Sequence, residues 1–121
     1  MISAILAVYG FATIRLASDW QGADFIAQHV DGKTFLKVQL KGALTFAKKY
    51  LGKDIYISFC DGEFWYLFPH DEILERVKKE EGIIEGTRSW QNGEYAFATV
   101  GRKIKKILEP YRLDMRGIFP S

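Results

Sequence analysis

A mixed α/β protein built on one central β-sheet is what this chain predicts, on three observations. Two Asp-Gly pairs, Asp31-Gly32 and Asp61-Gly62, each separate strand-like runs, and such a pair is the strongest short-range hairpin signal. Segments with helical character follow the second strand pair, so the order reads helix, three strands, a crossover, two strands, then helices. The 121 residues are 48% hydrophobic and 15% aromatic, enough for one packed core and too apolar for a disordered chain.

The elements follow in order. "MISAILAVYG" (1–10) reads as the last turns of a buried helix closed by Gly10 as a left-handed cap. It has no basic leader and is too short to cross a bilayer, so no membrane partner is expected. "FATIRLA" (11–17) is a strand, ended by the polar, Gly-containing "SDWQG" (18–22). "ADFIAQHV" (23–30) and "KTFLKVQLK" (33–41) form a hairpin about Asp31-Gly32, and 42–53 is open between a loop and a short helix. "DIYISF" (54–59) and "FWYLFP" (64–69) make a second strand pair that Pro69 closes.

"HDEILERVKKEEG" (70–82) is a helix, with Asp71 available to cap its start and Lys78 and Lys79 near its end. Its narrow apolar stripe of Ile73, Leu74 and Val77 predicts a surface position. "TRSWQNGEYAFATV" (87–100) reads as irregular with one short strand. A basic amphipathic helix, "GRKIKKILEPYR", follows, with Ile104, Ile107 and Leu108 on one face. No linker or repeat divides the chain, so 1–121 is expected to be one domain.

Cys60 is the only cysteine, which excludes an intrachain disulfide and fits a reducing, cytoplasmic compartment. Within "IYISFC" it reads as a small buried hydrophobe. His29 and His70 have no second ligand at metal spacing, so zinc is not expected; His29 reads as a surface strand residue and His70 as part of a helix start. No phosphate-binding glycine loop or nucleophile elbow occurs.

The net charge of +2 is unevenly spread. Lys37, Lys41, Lys48, Lys49 and Lys53 fall together with no acid between them, an acidic middle follows, and the last segment is basic again. Two readings stand: one united patch for a polyanion, or solvated faces of separate elements.

Lys37, Gln39 and Lys41 alternate with Leu36, Val38 and Leu40, so the strand has one polar and one apolar face. Asp24 lies seven residues before Asp31 and Gln39 seven after Gly32. A two-residue hairpin therefore brings Asp24 and Gln39 close to opposite one another, with Lys41 nearby.

The stretch "ADFIAQHVDGKTFLKVQLK" resembles the core of the PD-(D/E)xK nuclease-like superfamily, in which an Asp on one hairpin strand faces an acid-x-Lys on the next. The resemblance covers about residues 1–70, with 70–121 as a helical tail, and implies a restriction-endonuclease-like core: a central mixed sheet flanked by helices. It matches Asp24 to the family's Asp, Gln39 to the acid position and Lys41 to the lysine, while Ala23 replaces the usual Pro. It further implies Mg²⁺ (or Mn²⁺) held by Asp24, the Gln39 amide oxygen and the Leu40 carbonyl. Residues 1–18 contain no acid, so Asp19 is the candidate for an additional ligand. The implied catalytic set is Asp24, Gln39 and Lys41.

DNA is the implied partner, with RNA left open and a homodimer as one assembly the class uses. Lys48, Lys49, Arg102 and Lys103 are the candidate backbone contacts. Trp20 either stacks on a base or anchors its loop. The function expected is metal-dependent hydrolysis of DNA phosphodiesters. Its rivals are an inactive nucleic-acid-binding module of the same fold and a protein-interaction domain.

Overall fold

The structure, a computed structural model, describes residues 6–7, 11–20, 23–29, 33, 35–81 and 84–113. Five strands form the central sheet: β1 (Phe11–Trp20), β2 (Ala23–His29), β3 (Phe35–Leu40), β5 (Ile55–Cys60) and β6 (Trp65–Pro69), in the spatial order β1-β2-β3-β5-β6. The first three are an antiparallel meander, β5 is parallel to β3, and β6 is antiparallel to β5. This is the mixed sheet expected from the sequence.

The β2–β3 register pairs Phe25 with Val38 and Gln28 with Phe35, as a two-residue loop at 31–32 requires. The loop itself, Gly10 and most of the expected first helix lie outside the described residues; residues 6–7 are helical and Leu6 is buried. β1 does not stop at Leu16. It continues to Trp20 through an irregularity in which residues 16–19 lie across from Asp24 alone, between the pairs Arg15–Phe25 and Trp20–Ala23.

A parallel step from β3 to β5 needs a crossover. Residues 42–54 supply it as a strand and a turn, β4 (Thr45–Ala47) followed by a 3₁₀ turn at Lys48–Tyr50. The sequence hid this strand because three residues are too few for a period and two lysines follow. β4 pairs with β7 (Glu94–Ala96) in a second, two-stranded sheet. The helices are α1 (His70–Glu81), α2 (Arg88–Gln91) and α3 (Arg102–Leu108).

The central sheet has a core on each face, as strand alternation dictates. On one side Phe25, Ala27, Val38 and Leu67 meet Leu6 and Leu113. On the other, Ile55, Ile57, Phe59 and Phe68 meet the crossover (Phe46, Tyr50), α1 (Ile73, Leu74, Val77), α2 (Trp90) and α3 (Ile104, Leu108). The narrow stripe of α1 is therefore fully buried, and burial of such side chains is worth roughly 1.5–3 kcal/mol each. Only the opposite face of α1 meets solvent.

Asp71 does not cap its own helix. Its carboxylate accepts from the Gly52 amide at 2.9 Å and bonds the His70 ring at 2.7 Å, tying the start of α1 to the crossover. Cys60 is half-buried rather than buried, at the edge of a cavity of about 270 Å³.

Candidate active site

The polar row of β3 is not a wet surface. Val38 belongs to the apolar core on one face, so Lys37, Gln39 and Lys41 turn to the other, where the crossover lies. Gln39 is 8% exposed, and a side chain that polar is retained in a sheet interior only with something to bond. One step beyond the Phe25–Val38 pair, the same register sets Asp24 across from Gln39. Asp24 also faces the β1 irregularity, and such bulges bend a strand and re-aim what it carries. The side chains of Asp19, Trp20 and Asp24 lie outside the described residues; their backbones belong to β1 and β2.

Lys41 follows the end of β3, and its amide still donates to the Ser58 carbonyl, which fixes its backbone to β5. Its ammonium is 3.4 Å from Glu94 Oε1 and lies 5.4 Å from the centroid of the Tyr50 ring. The Lys41 side chain is 19% exposed and that of Glu94 50%. Burial alone lowers the lysine pKa, but the Tyr50 phenol and the Glu94 carboxylate outweigh it, and the net shift is upward. Lys41 is therefore a cation at neutral pH, fit to donate a hydrogen bond and place positive charge, and unfit to take up a proton.

Tyr50 is 1% exposed, and its hydroxyl has no hydrogen bond among the described residues. Lys49 approaches the same ring, 5.3 Å from its centroid, while Lys48 and Lys78 lie over Trp90 at 5.7 and 5.5 Å. The lysines of the crossover thus gather at the Lys41 corner. Arg102 and Lys103 go to other partners: Lys103 is 3.8 Å from Glu80, and Arg102 lines a cleft of about 430 Å³ with Asp61, Tyr66, Lys105 and Arg112.

His70 packs edge-on to Tyr50 at 5.5 Å and is fully buried. Its Nε2 accepts from the Ala47 amide at 3.0 Å, so the proton is on Nδ1, directed at Asp71. Burial lowers its pKa more than Asp71 raises it, and the ring is neutral. It pins β4 to α1, a structural role. Asp61 closes the β5–β6 turn by accepting from the Glu63 and Phe64 amides, with Gly62 at φ 102.

Sequence reasoning missed Tyr50 and Glu94. Glu94 is 53 residues from Lys41 and arrives only because β7 pairs with β4, Ala47 opposite Glu94. No local pattern announces such a pairing.

Among the described residues no three His, Cys, Asp or Glu side chains gather as a metal cluster. The oxygen donors at the end of the β2–β3 ribbon, an Asp, a buried Gln and a backbone carbonyl, are nonetheless of the hard type that Mg²⁺ or Mn²⁺ takes, with water completing the shell.

Fold and site together define a mixed α/β protein with an Asp, Gln and Lys set at the open end of a hairpin. No family model and no curated protein matches the chain. Among solved structures it is similar to the Holliday junction resolvase Hjc of the archaeal hyperthermophile Archaeoglobus fulgidus, with a TM-score of 0.46 and 20% identity over 60% of this chain and 68% of that one. At that score the likeness decides nothing about the site, whose description stands on this chain's own register and contacts.

Proposed function

We propose that this chain is a metal-dependent endonuclease hydrolysing DNA phosphodiesters, with its site at the Asp24, Gln39 and Lys41 end of the β2–β3 ribbon. The observation that carries this is the register: it sets the Asp24 backbone across from a buried Gln39, two residues from a charged Lys41. Asp24, the Gln39 amide oxygen and the Leu40 carbonyl would hold Mg²⁺ or Mn²⁺, with Asp19 as a further oxygen donor. When bound, the ion supplies charge for the phosphoryl oxygens and a more acidic water.

The chain's own residues do the rest. Gln39 offers its amide oxygen from a fixed, buried position, at the cost of one negative charge. Lys41, held as a cation, donates to the attacking water or to a phosphate oxygen and stabilises the charge that develops there. Lys48 and Lys49 supply backbone phosphate contacts whose strength falls with salt. Trp20 stands at the same end of β1 and could stack on a base, while Arg102 and Lys103 would contact DNA beyond the site.

Incubating the purified protein with supercoiled plasmid and with single-stranded DNA, in Mg²⁺, Mn²⁺ or EDTA, tests the reading. Cutting that needs metal and is lost in both Asp24→Ala and Lys41→Ala is the expected result. The neutral Gln39 favours a second reading, a nucleic-acid-binding module without catalysis. That module would bind DNA in a salt-dependent, chelator-insensitive way and cut nothing.

A further inference from the structure

We infer that Glu94 and Tyr50 complete this site from outside the β2–β3 ribbon, as positioning residues that hold the Lys41 ammonium between a carboxylate and a buried phenol. The inference rests on the nuclease reading for its catalytic meaning, but the geometry beneath it is independent. Glu94 Oε1 is 3.4 Å from Lys41 Nζ, and the Tyr50 ring lies under the same ammonium at 5.4 Å. The Tyr50 hydroxyl is buried and makes no hydrogen bond among the described residues. A buried hydroxyl left that way costs about 1–3 kcal/mol and calls for a reason. Its neighbour His70, in the same cluster, has both ring nitrogens bonded, so the packing here does satisfy polar groups where only structure is at stake.

The reason lies in the charge balance of β3. With Gln at position 39, that strand offers Lys41 no carboxylate two residues away. Glu94 supplies the missing negative charge from β7, and the pairing of β7 with β4 sets its distance. Lys49, on the same Tyr50 ring at 5.3 Å, is the like charge that opposes it. The unbonded Tyr50 hydroxyl is a polar group in reserve, able to bond the ammonium when it swings toward substrate. Residues 87–100, which the sequence left as irregular, thus contribute directly to the chemistry.

The test reads Lys41 itself. Its side-chain titration is followed by NMR of lysine Cε carbons, assigned with Lys41→Arg, in wild type, Glu94→Gln, Glu94→Asp and Tyr50→Phe, alongside the pH profile of plasmid cleavage. Glu94→Gln and Tyr50→Phe are expected to lower the Lys41 titration and to move the alkaline limb of cleavage down with it. Glu94→Asp, which keeps the charge, is expected to restore part of both. A Lys41 titration that is the same in all four proteins overturns the inference, as does a cleavage loss uniform across pH. If wild type cuts no DNA, the nuclease reading falls, and the titration alone decides whether Glu94 and Tyr50 hold Lys41.

Discussion

Two buried polar corners lie side by side in this protein and differ in one respect. At the His70 corner every donor and acceptor of the ring is used: Ala47 gives its amide to Nε2, and Nδ1 gives its proton to Asp71, which also takes the Gly52 amide. At the Lys41 corner a 19%-exposed ammonium shares one half-exposed carboxylate and a phenol whose hydroxyl is unbonded among the described residues. A closed network holds a fold together, and one with open valences is available to a ligand. The tyrosine and histidine rings touch at 5.5 Å, so the contrast is not one of depth or packing.

The comparison breaks most readily at the lysine. Lys41→Ala and Asp24→Ala are each expected to reduce metal-dependent plasmid cleavage by about 10²–10³-fold, the usual cost of removing a group that stabilises developing charge. Denaturant midpoints should stay near wild type, and a matching loss of stability would return Lys41 to the structural class.

His70→Ala should do the reverse. It strips the Ala47 amide and Asp71 of their partner and opens a cavity, for a destabilisation of about 3 kcal/mol measured by urea unfolding. Whatever remains folded should cut at a near-normal rate.

A pH series sharpens the same point. The His70 pKa is lowered in the folded state, so the unfolded chain takes up a proton that the folded one resists. The stability this ring contributes is present above its ordinary value of 6.5 and is lost as pH falls through it. His70→Asn should flatten that part of the stability profile. Asp61 and Asp71, whose pKa values are also lowered, add their own loss only as pH falls through the ordinary carboxylate value of 3.8.

The smallest stability effect is expected at Tyr50→Phe, within about 1 kcal/mol of wild type, because it removes a hydroxyl that bonds nothing in the described structure. A large loss in urea unfolding would reveal a partner for that hydroxyl and erase the difference between the corners.

Much of this was legible from the chain. The hairpin register followed from the spacing of Asp24, Asp31-Gly32 and Gln39, because a two-residue loop leaves one pairing and a slip would turn every side chain to the wrong face. The start of α1 after Pro69 and the β5–β6 turn at Asp61-Gly62 followed from backbone preferences that act within a few residues. β1 ran further than its turn-like "SDWQG" suggested, since pairing with β2 continued past the irregularity.

What the sequence by itself determined about this protein is therefore local: the strands of the central sheet, their turns, the long helix, and the facing of Asp24 and Gln39 across one hairpin. Tertiary structure alone decided that the polar row of β3 lies under the crossover, that His70 is a closed structural joint, and that Glu94 and Tyr50 meet Lys41. Those contacts depend on β4, three residues long, finding β7 nearly fifty residues later. A strand that short carries no period to read, and its partner is chosen by the shape of the core that both help to close.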